Sequence, residues 1–184
     1  MISRIASLLN LNNIFLGFEF KQNVLKAGSQ KVLVLAVVSP RELFLCSPDQ
    51  FEEFSSQVVP ACSEAAAEAD LIITARPGDL VLANRDSVWC RAQIIQLVGQ
   101  NVQVKLLDLA ITSTFSKEQL RMITPEVCVF PILAVKCCLQ QPANQENGQE
   151  PSDDIASLSK FVEYEEVNVK VTGDVQEGKV IVQF

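Results

Sequence analysis

The sequence predicts a mainly β fold with helices, of the α+β class, on three observations. Short β-branched apolar runs recur along the chain, as in KVLVLAVVSP, VWCRAQIIQLV and EEVNVKVTGD, and turn residues separate them. One Ala- and Glu-rich stretch, ACSEAAAEAD, interrupts them with good helix formers. The chain is 184 residues long with 48% hydrophobic residues. That length can hide roughly 70% of the surface exposed on unfolding, enough for one large domain or two small interlocked ones.

Taken in order, Ile2, Ile5, Leu8 and Leu9 recur at helical spacing and predict a short amphipathic helix over 2–12. KVLVLAVVSP from Lys31 reads as a strand buried on both faces and stopped by Pro40, and RELFLCS as its hairpin partner. Ser47-Pro48-Asp49-Gln50 marks a helix start: Ser47 caps, Pro48 sits where no N–H is needed, and Gln50 completes a capping box. Pro60 must break or kink that helix, whose second piece runs to about Asp70. Pro77-Gly78 then punctuates the chain.

A module of four or five short strands follows. Trp89, Arg91, Gln93, Ile95 and Leu97 alternate against Val88, Cys90, Ala92, Ile94, Gln96 and Val98, and Gly99-Gln100-Asn101 turns the chain towards Val102, Val104 and Leu106. Strands at this spacing predict a small barrel. Arg91 and Asp108 lie in otherwise apolar strands, so each needs a partner if buried, and each is a candidate partner for the other. VCVFPILAVKCCLQ reads as a further buried strand interrupted at Pro131. The polar run QPANQENGQEPSDD reads as a loop, ASLSKFVEY as a short helix begun by Asp153-Asp154, and EEVNVKVTGD and GKVIVQF as closing strands.

Composition excludes several chemistries. There is no histidine, and Cys46, Cys62, Cys90, Cys128, Cys137 and Cys138 form no C-x-x-C pair. The usual zinc sites and every histidine-dependent nucleophile are thereby removed, and neither a metal nor a cofactor is expected. The cysteines sit in apolar runs and read as small buried hydrophobes of a reduced, intracellular chain. No apolar stretch is long enough to span a membrane. The formal charge of −7 argues against direct binding to nucleic acid or anionic lipid and favours a cationic partner. Acidic residues gather in 41–70 and 146–177 and leave the strand module near neutral, which describes a solvated acidic surface and equally two acidic walls of a groove for a basic peptide.

GDLVLANRDSVWCRAQIIQLVGQNVQVKLLDLAI resembles the Tudor domain, which reads G-D, Ala, W-Y-R-A, and then an apolar strand ending in D-Y-G-N. The matching residues are Gly78, Asp79, Ala83, Trp89, Arg91, Ala92 and Asp108, with Leu120 and Pro131 beyond them. The flanks are similar to an extended Tudor domain, in which a Tudor-type small barrel is joined by a linker helix to a split nuclease-like OB barrel. The resemblance implies one extended Tudor unit over 1–184. Within it stand an N-terminal extension at 1–26, the first part of the nuclease-like barrel at 27–48 and a linker helix at 49–73. The Tudor barrel follows at 74–126, and the second part of the nuclease-like barrel at 127–184 with a polar loop at 140–152.

The resemblance also implies a role. Such modules bind arginine-rich, often symmetrically dimethylated, tails of Piwi-class Argonaute proteins in the small-RNA pathway. They do so in cytoplasmic, perinuclear germ granules, the nuage, with four aromatics and an asparagine as the methylarginine cage. This chain departs from the cage throughout: Cys90 replaces its W-Y-R-A tyrosine, Leu106 its strand aromatic, Leu109 and Ile111 the tyrosine and asparagine of D-Y-G-N, and Arg85 stands at the remaining aromatic position. Those five are the candidate peptide-binding positions, and Trp89, Arg91 and Asp108 are expected to be buried structural supports. The expected function is non-catalytic recognition of an unmethylated Arg-rich tail. The rival is self-association or a scaffold surface for another granule protein. A nuclease is disfavoured because 127–184 holds no arginine to grip phosphate.

Overall fold

The computed structural model describes residues 14–15, 18–39, 41–140, 166–176 and 178–183. The expected helices at 2–12 and 156–164, most of the polar loop, Pro40 and Tyr164 lie outside the described residues. Two compact units divide the chain: Met1–Lys21 with Glu53–Ile132, and Gln22–Glu52 with Leu133–Phe184.

The second unit is a closed five-stranded barrel. After the paired two-residue strands β1 (Ile14–Phe15) and β2 (Phe18–Glu19), which belong to the first unit, the chain enters β3 (Gly28–Ser39) and β4 (Glu42–Cys46). These form the expected antiparallel hairpin, with Val32–Leu35 and Leu43–Cys46 buried without a break. The barrel closes only with strands from the far end of the chain: β10 (Val135–Leu139), β11 (Glu166–Gln176) and β12 (Lys179–Gln183), in the order β10-β12-β11-β3-β4. β10 and β12 run parallel and every other pair antiparallel. Val32, Val34, Leu43, Leu45, Val169 and Val182 lie in its core, where stiff β-branched side chains suit a pleated wall.

The helical stretch opens as the sequence dictates. The Gln50 N–H donates to Ser47 Oγ at 3.2 Å and the Ser47 N–H to Gln50 Oε1 at 2.9 Å, a complete capping box ahead of α1 (Pro48–Glu53). The disturbance expected at Pro60 takes the form of a π-helical segment, Phe54–Val58, ahead of α2 (Val59–Glu68). Pro60 has no N–H to offer the preceding turn. The widened turn lets the Val59 N–H reach the Phe54 carbonyl instead, so helical hydrogen bonding passes the proline.

The first unit is a bent antiparallel sheet of β5 (Leu80–Arg85), β6 (Val88–Val98), β7 (Asn101–Leu106), β8 (Ile111–Phe115) and β9 (Leu120–Met122), in the order β8-β7-β6-β5-β9. Both edge strands feed one core, with Phe115 of β8 and Leu120 of β9 packed among Ala92, Ile94, Val102 and Val104. Period-two alternation decides the faces of β6: Cys90, Ala92 and Ile94 enter this core, and Arg91 points to the opposite face.

Arg91 is nevertheless 0% exposed and Asp108 1%. Arg91 Nε donates to Asp108 Oδ2 at 2.9 Å and Nη2 to Oδ1 at 2.5 Å, a bidentate fork. Its other donors reach the carbonyls of Val127 (3.0 Å), Phe130 (2.7 Å) and Pro131 (2.8 Å), so all five guanidinium N–H groups are used. The Phe20 ring lies 5.2 Å from the guanidinium carbon. This arrangement corrects the reading of 127–139 as one interrupted strand. Thr124-Pro125 starts a short helix, α3 (Pro125–Cys128), and carbonyls in and just after it, those of Val127, Phe130 and Pro131, turn to Arg91.

Removing one partner strands a buried charge. Asp108→Ala is expected to lose about 3–5 kcal/mol of stability and to lower Tm by on the order of 10 °C. A thermal melt of the variant that overlays the parent would refute the supporting role.

Candidate functional site

The five cage positions gather at the end of the bent sheet where β5 turns into β6 and β7 into β8. Arg85 ends β5, and Asp86 and Ser87 complete a two-residue hairpin with φ of 50° and 70°, as a type I′ turn requires. The Ser87 N–H donates to Asn84 Oδ1 at 3.1 Å, and Arg85 Nε lies 3.8 Å from Asp86 Oδ2. Cys90, Leu106 and Leu109 belong to the core cluster of this unit, and half-buried Ile111 packs against it. Leu106 is 0% exposed and Cys90 5%. Ala110, between Leu109 and Ile111, adopts a left-handed conformation with φ of 56°, where the family pattern has glycine.

Cys90, Leu106 and Leu109 are packed into the core at this end of the sheet, while Arg85 remains partly exposed. None of these five side chains offers an aromatic face to a flat cation. The nearest buried carboxylate, Asp108, is already committed to Arg91. Burial pushes the Cys90 thiol up to about 11, with the Asp108 charge adding to the rise and Arg85 opposing it. Burial likewise raises Cys46, Cys62 and Cys137 to about 12, and all six cysteines are free thiols inside the protein. Cys46, Cys62, Cys90 and Cys137 therefore stay protonated near neutral pH.

Of the three expected supports, Arg91 and Asp108 are buried and paired as inferred. Trp89 is half-buried rather than enclosed, and the Arg121 guanidinium lies 5.3 Å from its ring centre. Arg121 Nη1 also donates to the carbonyls of Glu118 (2.7 Å) and Leu120 (3.0 Å), which fixes it there. Sequence reasoning missed both Arg121 and Phe20. Arg121 carried a weak signal as the outward residue of the alternating Leu-Arg-Met run, and Phe20 carried none. Among the described residues, no group of three or more His, Cys, Asp or Glu side chains is placed to hold a metal ion, and no helix is long and apolar enough to cross a membrane.

Ala110→Gly should relieve the left-handed strain and stabilise the chain by about 1 kcal/mol, read as a higher urea midpoint at unchanged slope. The raised thiols contribute stability that is complete below the unfolded-state value of 9.0 and is lost as pH rises through the folded values of about 11 to 12. Urea midpoints should therefore drop between about pH 8.5 and pH 11, and a Cys62→Ala, Cys137→Ala variant should show a shallower drop.

The Tudor domain model matches residues 25–141, more than half of the chain. Tudor domain-containing protein 1 of Oryzias latipes is 28% identical over 116 residues, which cover 60% of this chain and 10% of that protein. The chain thus spans about a tenth of the length of that relative. The human TDRD1 extended Tudor domain, solved in complex with a symmetrically dimethylated peptide, superposes with a TM-score of 0.72 at 20% identity, covering 94% of this chain and 84% of that one. The mouse TDRD1 extended Tudor domain TD3, in complex with a dimethylarginine-containing MILI peptide, gives 0.70 at 20% identity over 89% and 86%. The Drosophila melanogaster Papi extended Tudor domain gives 0.67 at 17% identity over 85% and 87%. The fold is that of extended Tudor domains, and this chain belongs to the Tudor domain family.

Proposed function

We propose that this chain is a non-catalytic peptide-binding module that recognises an unmethylated, arginine-rich N-terminal tail of a Piwi-class Argonaute, independently of arginine methylation. It serves as a scaffold of the small-RNA pathway in a cytoplasmic, perinuclear germ granule, and makes no direct contact with nucleic acid or membrane. The observation that carries the reading is the burial of Cys90, Leu106 and Leu109 in the core, which leaves no ring face for a methylated guanidinium. Family membership supports the peptide-binding role, as does a fold shared with domains solved in complex with dimethylated peptides. An unmodified arginine keeps all five N–H donors for carboxylates and carbonyls, and methylation removes donors while adding bulk. The unit is divided at 27–48, 49–73, 74–126 and 127–184, as the resemblance implies.

A second reading has its own observation. Ile95, Leu97 and Val98, at the tip of the β6–β7 hairpin, are exposed apolar side chains and suit a scaffold contact with another granule protein or a second copy.

Isothermal titration with matched arginine-rich tail peptides, unmodified and symmetrically dimethylated, tests the first reading. Equal affinity is expected, or a penalty for methylation of about 1 kcal/mol, roughly fivefold in Kd. Tightening by about tenfold or more on dimethylation would restore a methylarginine reader. Absence of peptide binding, with self-association lost in Leu97→Ser, would favour the scaffold.

A further inference from the structure

An apolar groove of about 340 Å³ opens beside the start of β5, lined by Ile72, Ile73, Leu80, Met122 and Ile123, with Asp79 in its wall. Leu80 begins β5 and Arg85 ends it, so the groove lies about 17 Å along the strand from the cage positions. Ile73 is 92% exposed and Met122 53%, large apolar surfaces left open among the described residues. Asp79 is the sole charged residue among the lining residues described. Its Oδ2 accepts the Arg76 N–H at 2.9 Å, and its Oδ1 has no hydrogen-bond partner among the described residues.

The nearby cations do not neutralise it. Arg121 alternates with Leu120 and Met122 on β9, points to the opposite face of the sheet and is held over Trp89. Arg76 is exposed and is not among the lining residues. A second acidic residue stands close by: the Asp70 carbonyl accepts the Met122 N–H at 3.1 Å, and Asp70 itself is exposed. An apolar side chain alone would cover the groove but leave the Asp79 carboxylate desolvated without a donor. A second copy of this chain docked symmetrically would bring Asp70 and Asp79 against themselves. A peptide carrying an apolar residue next to a cation meets both requirements.

We infer that this groove, at the far end of β5 from the cage positions, takes one large apolar side chain of a basic peptide while Asp79 holds the arginine or lysine beside it. The inference rests on the peptide-binding reading above and gives that reading its site. Peptide selection then depends on an apolar–basic pair, and arginine methylation plays no part in it.

The probes are two unmodified dodecapeptides of alternating Gly and Arg, one with a central Leu-Arg pair and one with Ser-Arg. Binding to the full chain is read by fluorescence anisotropy and by methyl NMR of Ile, Leu, Val and Met groups. The Leu peptide should bind about tenfold more tightly than the Ser peptide and shift the methyls of Ile72, Ile73, Met122 and Ile123. Ile73→Ser with Met122→Ser, both solvent-facing, should abolish that preference. Asp79→Asn, which still accepts the Arg76 N–H, should weaken both peptides about threefold.

Shifts confined to Leu106, Leu109 and Ile111, with the groove variants silent, would overturn the groove and leave peptide binding intact. No binding of either peptide at millimolar concentration would end both. Dimerisation of the free chain, lost in Ile73→Ser, would assign the groove to a second copy and overturn the inference.

Discussion

One guanidinium organises the first unit. Arg91 joins a strand, a turn and a stretch of irregular backbone by satisfying, with five donors, a carboxylate and three carbonyls. A buried ion pair of this kind is not a large source of net stability, because desolvation offsets most of its attraction. Its effect is geometric. Only a planar fork in this position pairs with Asp108 and reaches Val127, Phe130 and Pro131 together, so the chain after β9 has one way to lie.

The same hub fixes the turn in which the cage residues stand. Asp108 is followed by Leu109, Ala110 and Ile111, so anchoring the carboxylate anchors the loop. The pairing of Asp108 with Arg91 therefore sets the path of the β7–β8 turn whatever side chains it carries. Leu106 and Leu109 belong to the core and Ile111 packs against it, and Ala110 holds a left-handed conformation that glycine would adopt without strain. Family membership alone does not fix ligand preference.

What the sequence revealed follows from the range of the interactions involved. The Ser47–Gln50 capping box and the hairpin of β3 and β4 are local, and the residues that make them are adjacent. The Arg91–Asp108 pair was legible because a charge inside an apolar strand has few workable solutions. Its three carbonyl partners were not, because backbone groups carry no residue-type signal, and so 127–131 read as strand. Pro60 announced a disturbance but not its form, since a kink and a π turn both accommodate a missing donor. Trp89 looked like a core residue until Arg121, far along the chain, was seen to cover its ring. The groove was invisible for the same reason: the residues before β5 and after β9 meet only when the sheet bends.

The split barrel imposes an order on biosynthesis. A ribosome delivers β3 and β4 roughly 90 residues before β10, an interval on the order of ten seconds, and β11 and β12 later still. Throughout that interval the apolar runs Val32–Leu35 and Leu43–Cys46 lack their barrel partners, and unpaired apolar strands of this kind are prone to intermolecular pairing. The intervening unit, 53–132, contains all the strands of its own sheet and can complete that sheet while the β3–β4 hairpin waits. Shielding this hairpin during translation is therefore a requirement separate from the stability of the finished protein.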